Sequence, residues 1–164
     1  MSKFIYRMQN ILNIKEKLEE QAKLDYGMAR ARLTEEEERL EALYTRKQNY
    51  ENNARDSLQD ALKIREIREN KEAILRMDEY IELQKVRIRK AEEALEVERV
   101  KLQEAMQERK IQEKLRENAF AAFMEEEKAR ESREIDELTS YTYGQKKAEE
   151  AAAEEQWQKK ITDR

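Results

Sequence analysis

The sequence contains no histidine, no cysteine and no proline, and only two glycines and one tryptophan among 164 residues. Each absence removes a class of function. Without histidine, the chain lacks the side chain best suited to proton transfer near neutral pH and the commonest metal ligand. Without cysteine there is no disulfide staple and no thiol nucleophile, a composition that suits a reducing compartment. Two glycines cannot supply a phosphate-cradling loop. Carboxylates are plentiful, as in Glu35–Glu38 and Glu125–Glu127. A catalytic acid and base, however, need a cleft that separates their pKa values, and these runs read as solvated helix faces. No enzyme, cofactor or metal is therefore expected. Long apolar runs are missing too: the opening MSKFIYRMQNILNIKEK has cations throughout and no stretch long enough for a signal peptide or membrane span. A cytoplasmic protein without an integral membrane segment is expected.

What is abundant is charge. Charged residues make up 44% of the chain against about 25% in ordinary globular domains, while the hydrophobic fraction is 38%. That supply suits the narrow seam of a two-helix coiled coil better than a broad closed core. The 34 basic residues are interspersed with 38 acidic ones for a net charge of −4. No large basic face offers itself to a phosphate backbone, and no nucleic acid partner is expected.

The apolar residues recur by threes and fours. One seam runs through Tyr26, Ala29, Leu33, Leu40, Leu43, Tyr50, Ala54, Ala61 and Ile64, with Glu36, Lys47 and Ser57 at its polar interruptions. Upstream, Phe4, Met8, Ile11, Leu18 and Ala22 follow the rhythm, with a four-plus-four stutter through Leu18, Ala22 and Tyr26. A second seam comprises Ile74, Met77, Ile81, Ile88, Ala91, Leu95, Leu102 and Ala105, interrupted by Gln84 and Glu98. Beyond Ala105 the phase slips to a stripe of Ile111, Leu115, Ala119, Ala122 and Phe123, followed by Ile135 and Leu138.

The two seams do not join in phase across residues 67–72, which include Asn70 and a single apolar side chain, Ile67. A reversal is expected there, with Gln48–Ser57 and its three asparagines as the rival turn and one uninterrupted helix as the other alternative. The expected fold is all-α, a long antiparallel two-helix coiled-coil hairpin over residues 1–140. Helix one spans about 4–66, the turn about 67–72 and helix two about 73–140. In that register Leu40 faces the region of Val100, and Phe4 the region of Asp136. Residues 141–164 form a charged, Ala/Glu-rich tail, helical or frayed, in which Trp157 is either incidental or a contact anchor. The isolated chain is expected to be a monomeric hairpin; a parallel structural dimer is the alternative.

Residues Phe4, Ile5, Tyr6, Met8, Ile11, Leu12 and Ile14 put more apolar surface at the N-terminus than a seam uses. Three readings remain: a core that caps the hairpin's open end, a partner-protein surface, or a helix lying in a membrane surface. The run Phe4-Ile5-Tyr6-Arg7-Met8-Gln9-Asn10-Ile11-Leu12, the following Lys15 to Ala22, and the distant Arg133-Glu134-Ile135-Asp136-Glu137-Leu138 resemble the opening and closing signatures of the FliJ family of flagellar type III export proteins. The resemblance covers roughly residues 3–140. It implies a cytoplasmic antiparallel coiled coil, similar to a rotary ATPase shaft, that inserts into the flagellar export ATPase hexamer and promotes its assembly. It also implies contacts with the cytoplasmic domain of the export gate and with export chaperones, and so an association with the cytoplasmic face of the membrane. By position, Phe4, Arg7, Gln9 and Leu12 with Arg133, Asp136 and Glu137 correspond to the ATPase-facing tip. Tyr80 matches an aromatic position of the gate contact. Gln84 stands where the family has an apolar residue, which leaves Leu83 as the substitute. The stalk protein of a virulence secretion system is the alternative with the same architecture.

Overall fold

A computed structural model describes residues 3–59 and 64–162; Ala61 of the expected seam lies outside them. The described residues form two helices, α1 (Gln9–Gln59) and α2 (Ile64–Thr162), with no strand among them. The all-α hairpin read from the sequence is the observed fold. The chain divides into two compact units, one of residues 10–112 and one of residues 1–9 with 113–164.

In the first unit α1 and α2 run antiparallel, and polar side chains bridge them at four levels. Lys15 meets Glu108 at 2.6 Å, Arg109 meets Glu19, Gln84 meets Glu36, and Lys47 meets Asp78 at 2.6 Å. The midpoint of every pair falls between residues 60 and 64. The chain therefore reverses between Gln59 and Ile64, upstream of the expected turn at 67–72, which lies inside α2. Asn70 does not break the helix because the residues around it, Arg65, Glu66, Arg68, Glu69, Lys71 and Glu72, are good helix formers, and Arg65 pairs with Glu69 at 3.0 Å. The phase break that suggested a turn is real. Its position is Ile64, which is 72% exposed and off the seam that α2 starts at Ile67.

Moving the reversal upstream shifts the whole register. Leu40 lies between the Glu36–Gln84 and Lys47–Asp78 levels, so it faces α2 between Asp78 and Gln84 instead of Val100.

The α1 seam also differs from the expected one at its start. Buried and half-buried positions run Leu12, Lys15, Glu19, Ala22 and Tyr26, then on to Ser57 in unbroken steps of three and four. Leu18 is 50% exposed whereas Glu19 is 4% exposed, so there is no stutter. A carboxylate occupies the seam because it is paired: Arg109 donates from α2 and Lys23 bonds it at 3.2 Å along α1. Burial pushes the Glu19 carboxyl up, but the hydrogen bonds from Lys23 and Arg109 prevail and hold it below its ordinary value. Glu36, Lys47 and Ser57 are half-buried where the pattern put them.

On α2 the steps of three and four run from Ile67 through Ala105 to Arg109 and Gln112. The phase slip expected after Ala105 is absent, because Arg109 and Gln112 continue the seam while Ile111 is exposed. Gln84, one of the expected interruptions, is buried and donates from Nε2 to the Glu36 carbonyl at 2.9 Å. Such polar layers fix register at some cost in stability.

In the second unit, residues 3–8 precede α1 without helical structure. Phe4-Ile5-Tyr6 is a run of weak helix formers with no capping side chain before it, and the Gln9 amide donates to the Tyr6 carbonyl at 3.2 Å to close the turn into the helix. Helix one thus begins at Gln9, not near residue 4. Opposite this segment, Ala119 and Phe123 are half-buried on α2, whereas Leu115 and Ala122 of the expected stripe are exposed. From Lys128 to Ile161 every residue of α2 is exposed, and the tail expected to be helical or frayed continues α2 to Thr162.

Candidate partner-binding site

The aromatic residues at the N-terminus are held by a ring cluster. Phe4 packs edge-on against Phe120 with centroids 5.2 Å apart, tilts against Phe123 at 5.4 Å, and stacks with Tyr6 at 6.5 Å. These contacts answer the register question at this end: Phe4 faces Phe120 and Phe123, not the region of Asp136. The displacement has the same sign and cause as that of Leu40. The Tyr6 hydroxyl is buried with no hydrogen-bond partner among the described residues. The segment is thus held by ring packing and not by its polar tip.

The candidate tip residues separate into two groups. Phe4, Arg7 and Gln9 belong to the same unit as Arg133, Asp136 and Glu137, but Leu12 belongs to the hairpin unit. Leu12 is 1% exposed, the most enclosed large side chain described. It opens the α1 seam and presents no surface to a partner. Met8 and Ile11, expected to face the second helix, are instead exposed, because the seam phase runs through Leu12 and Lys15. Arg7 is exposed and Gln9 half-buried.

Arg133, Asp136 and Glu137 are exposed on α2. They lie ten to fourteen residues beyond Phe123, which is about 15–21 Å along the helix. The structure does not bring them onto the Phe4 cluster. Between the two groups sits a residue that pattern reading missed. Glu127 is buried and pairs with Arg130 at 3.0 Å, although Glu125–Glu127 reads as a solvated run. Position was the available signal, since Glu127 falls one turn beyond Phe123 on the same face.

The second candidate contact lies on the hairpin. Tyr80 and Leu83 are both exposed, and Leu83 shares a shallow surface groove with Asp78, Glu79, Glu82 and Val86. Gln84 points the other way, into the seam and onto Glu36. Its polarity therefore belongs to the helix pairing and leaves the Tyr80 and Leu83 face unaffected.

The exposed helix faces are charged with both signs. Exposed carboxylates and cations pair locally, as in Glu96–Arg99 at 2.6 Å and Lys114–Glu117 at 2.9 Å. Among the described residues no helix is long and apolar enough to cross a membrane. No curated protein and no solved structure matches the chain. A protein-family comparison does: residues 3–148, most of the sequence, match the flagellar FliJ protein, and the chain belongs to that family.

Proposed function

We propose that this protein is a non-enzymatic component of flagellar type III protein export. It binds the export ATPase ring as a central stalk, promotes ring assembly and activity, and links the ring to the export gate and to export chaperones. It works at the cytoplasmic face of the membrane through that apparatus. The family match over residues 3–148 carries the reading. Two features are compatible with it. The hairpin's polar layers fix one register, which a stiff rod needs. Its exposed charges of both signs favour contacts that form and break without a deep hydrophobic trap.

The ATPase contact is proposed at Arg7, Gln9, Arg133, Asp136 and Glu137, with Phe4 holding the segment that carries the first two. Tyr80 and Leu83 are the proposed gate contact. The purified protein is expected to raise the activity or hexamer yield of its cognate export ATPase. Arg7→Ala is expected to weaken that effect about tenfold in apparent affinity, with unchanged helicity by circular dichroism. An export ATPase whose activity and hexamer yield ignore correctly folded protein would refute the proposal.

A further inference from the structure

The last third of α2 has a pattern that neither the hairpin nor the aromatic cluster uses. Residues 128–161 are exposed on all sides, a stretch of about 50 Å. Isolated helices gain little stability from backbone bonding alone, so a helix of this kind gains from any partner that covers it. Six large hydrophobic side chains stand on it at 57–69% exposure: Ile135, Leu138, Tyr141, Tyr143, Trp157 and Ile161.

Three of them, Ile135, Leu138 and Trp157, share one face. Ile135, Leu138, Thr142, Lys146, Glu149, Ala153 and Trp157 follow one another in steps of three, four, four, three, four and four. That is an eleven-residue repeat, which keeps one face aligned along the helix. The face is apolar at its two ends and carries Lys146 and Glu149 at its centre.

We propose that a second copy of this chain docks on this face, with the two C-terminal helices antiparallel. A twofold axis between Lys147 and Ala148 places Leu138 opposite Trp157 and Thr142 opposite Ala153. It places Lys146 opposite Glu149 and beside Glu150, while Ile135 falls opposite Lys160 at the outer edge. Each of these pairs occurs twice, as a twofold interface requires. Charge selects both the occupant and the direction. A parallel pair would set Lys146 on Lys146 and Glu149 on Glu149, whereas the antiparallel pair turns every central repulsion into an attraction. The interface gives Trp157 a role as an anchor. It also revises the monomer expected from the sequence. The family match ends at residue 148 and the repeat continues to Trp157, so three of the seven face positions lie beyond what the family comparison covers.

Sedimentation equilibrium of the full-length chain tests the proposal. The expected mass at high concentration is twice 19.8 kDa. Lys146→Glu alone and Glu149→Lys alone each replace two attractions by two repulsions and are expected to weaken dimerisation about tenfold. The variant with both changes is expected to regain the original affinity. An equimolar mixture of the two single variants is expected to dimerise more tightly than either alone. Because these positions are exposed and both replacements are good helix formers, circular dichroism should remain unchanged. A mass of 19.8 kDa at every concentration, or a dimer indifferent to the charge exchanges, overturns the proposal.

Discussion

Between Ile67 and Gln112, α2 lies along α1, whereas from Lys128 to Ile161 the same helix is exposed on every side. Both stretches are rich in charge, and both are helical, so composition does not distinguish them. The difference lies in what occupies the seam positions. In the paired stretch Gln84 and Arg109, both polar, are turned inward because Glu36 and Glu19 wait for them on α1. In the bare stretch Ile135, Leu138 and Trp157 are turned outward. Local bonds support the bare helix: Thr139 and Thr142 donate to the carbonyls of Ile135 and Leu138, and Gln145 donates to the Tyr141 hydroxyl at 3.0 Å. Register in the paired stretch comes from long-range polar contacts, and helicity in the bare stretch comes from propensity and neighbours within one turn.

Equivalent truncations should separate the two regimes most sharply. Leu12→Ala removes the most enclosed large side chain of the hairpin and is expected to cost about 2–4 kcal/mol in denaturant unfolding followed by circular dichroism. Leu138→Ala removes the same atoms from an exposed site and is expected to cost under about 0.5 kcal/mol in the monomer, measured at dilution. Equal losses at the two sites would mean that the bare stretch is covered within one chain.

Acid should affect the hairpin through Glu19. Its folded pKa lies below the ordinary value, so its contribution is complete above the ordinary carboxylate range and is lost as pH falls through the depressed value. Glu19→Gln is expected to lower the unfolding midpoint at neutral pH by about 4 °C and to flatten the acid limb of the stability curve. Glu134→Gln, at an exposed position of the bare stretch, is expected to leave the midpoint at neutral pH unchanged in the monomer.

The comparison also explains what was readable in advance. The hairpin, its helical content and the polar interruptions at Glu36, Lys47, Gln84 and Glu98 follow from spacing, because apolar neighbours on both sides define the stripe. Lys15, Glu19, Arg109 and Gln112 were not legible as seam residues. A charged side chain looks the same in sequence on a seam or on a surface, and only its partner across the hairpin decides which it is. That partner depends on register, and register depends on the turn. Asn70 drew the expected reversal downstream, which displaced Leu40 from its true neighbours and brought Asp136 into apparent contact with Phe4. The meeting of Phe4 with Phe120 and Phe123 was therefore hidden, because it depends on the register and not on the residues around Phe4.

The smallest effect should come from Lys47 and Asp78, the cross-helix pair nearest the reversal. Lys47 stands half-buried on the seam while its ammonium reaches Asp78 at 2.6 Å and, at 4.0 Å, Glu51. The hydrogen bond that this ammonium donates to the Asp78 carboxylate holds the lysine pKa above its ordinary value. Its contribution is therefore complete below the ordinary lysine range and lost only as pH rises through that elevated value. Partly solvated pairs of this kind contribute little to stability. Lys47→Glu and Asp78→Lys are each expected to lower the unfolding midpoint by only about 1–2 °C at neutral pH, and the combined exchange to recover most of it. The larger consequence should be in register. With one bridge reversed, a label pair placed at residues 40 and 81 should report a broadened distance distribution, while a pair placed near Glu19 and Arg109 should stay narrow. A uniform broadening along the hairpin would show that no single polar layer sets the alignment and that apolar packing alone holds α1 against α2.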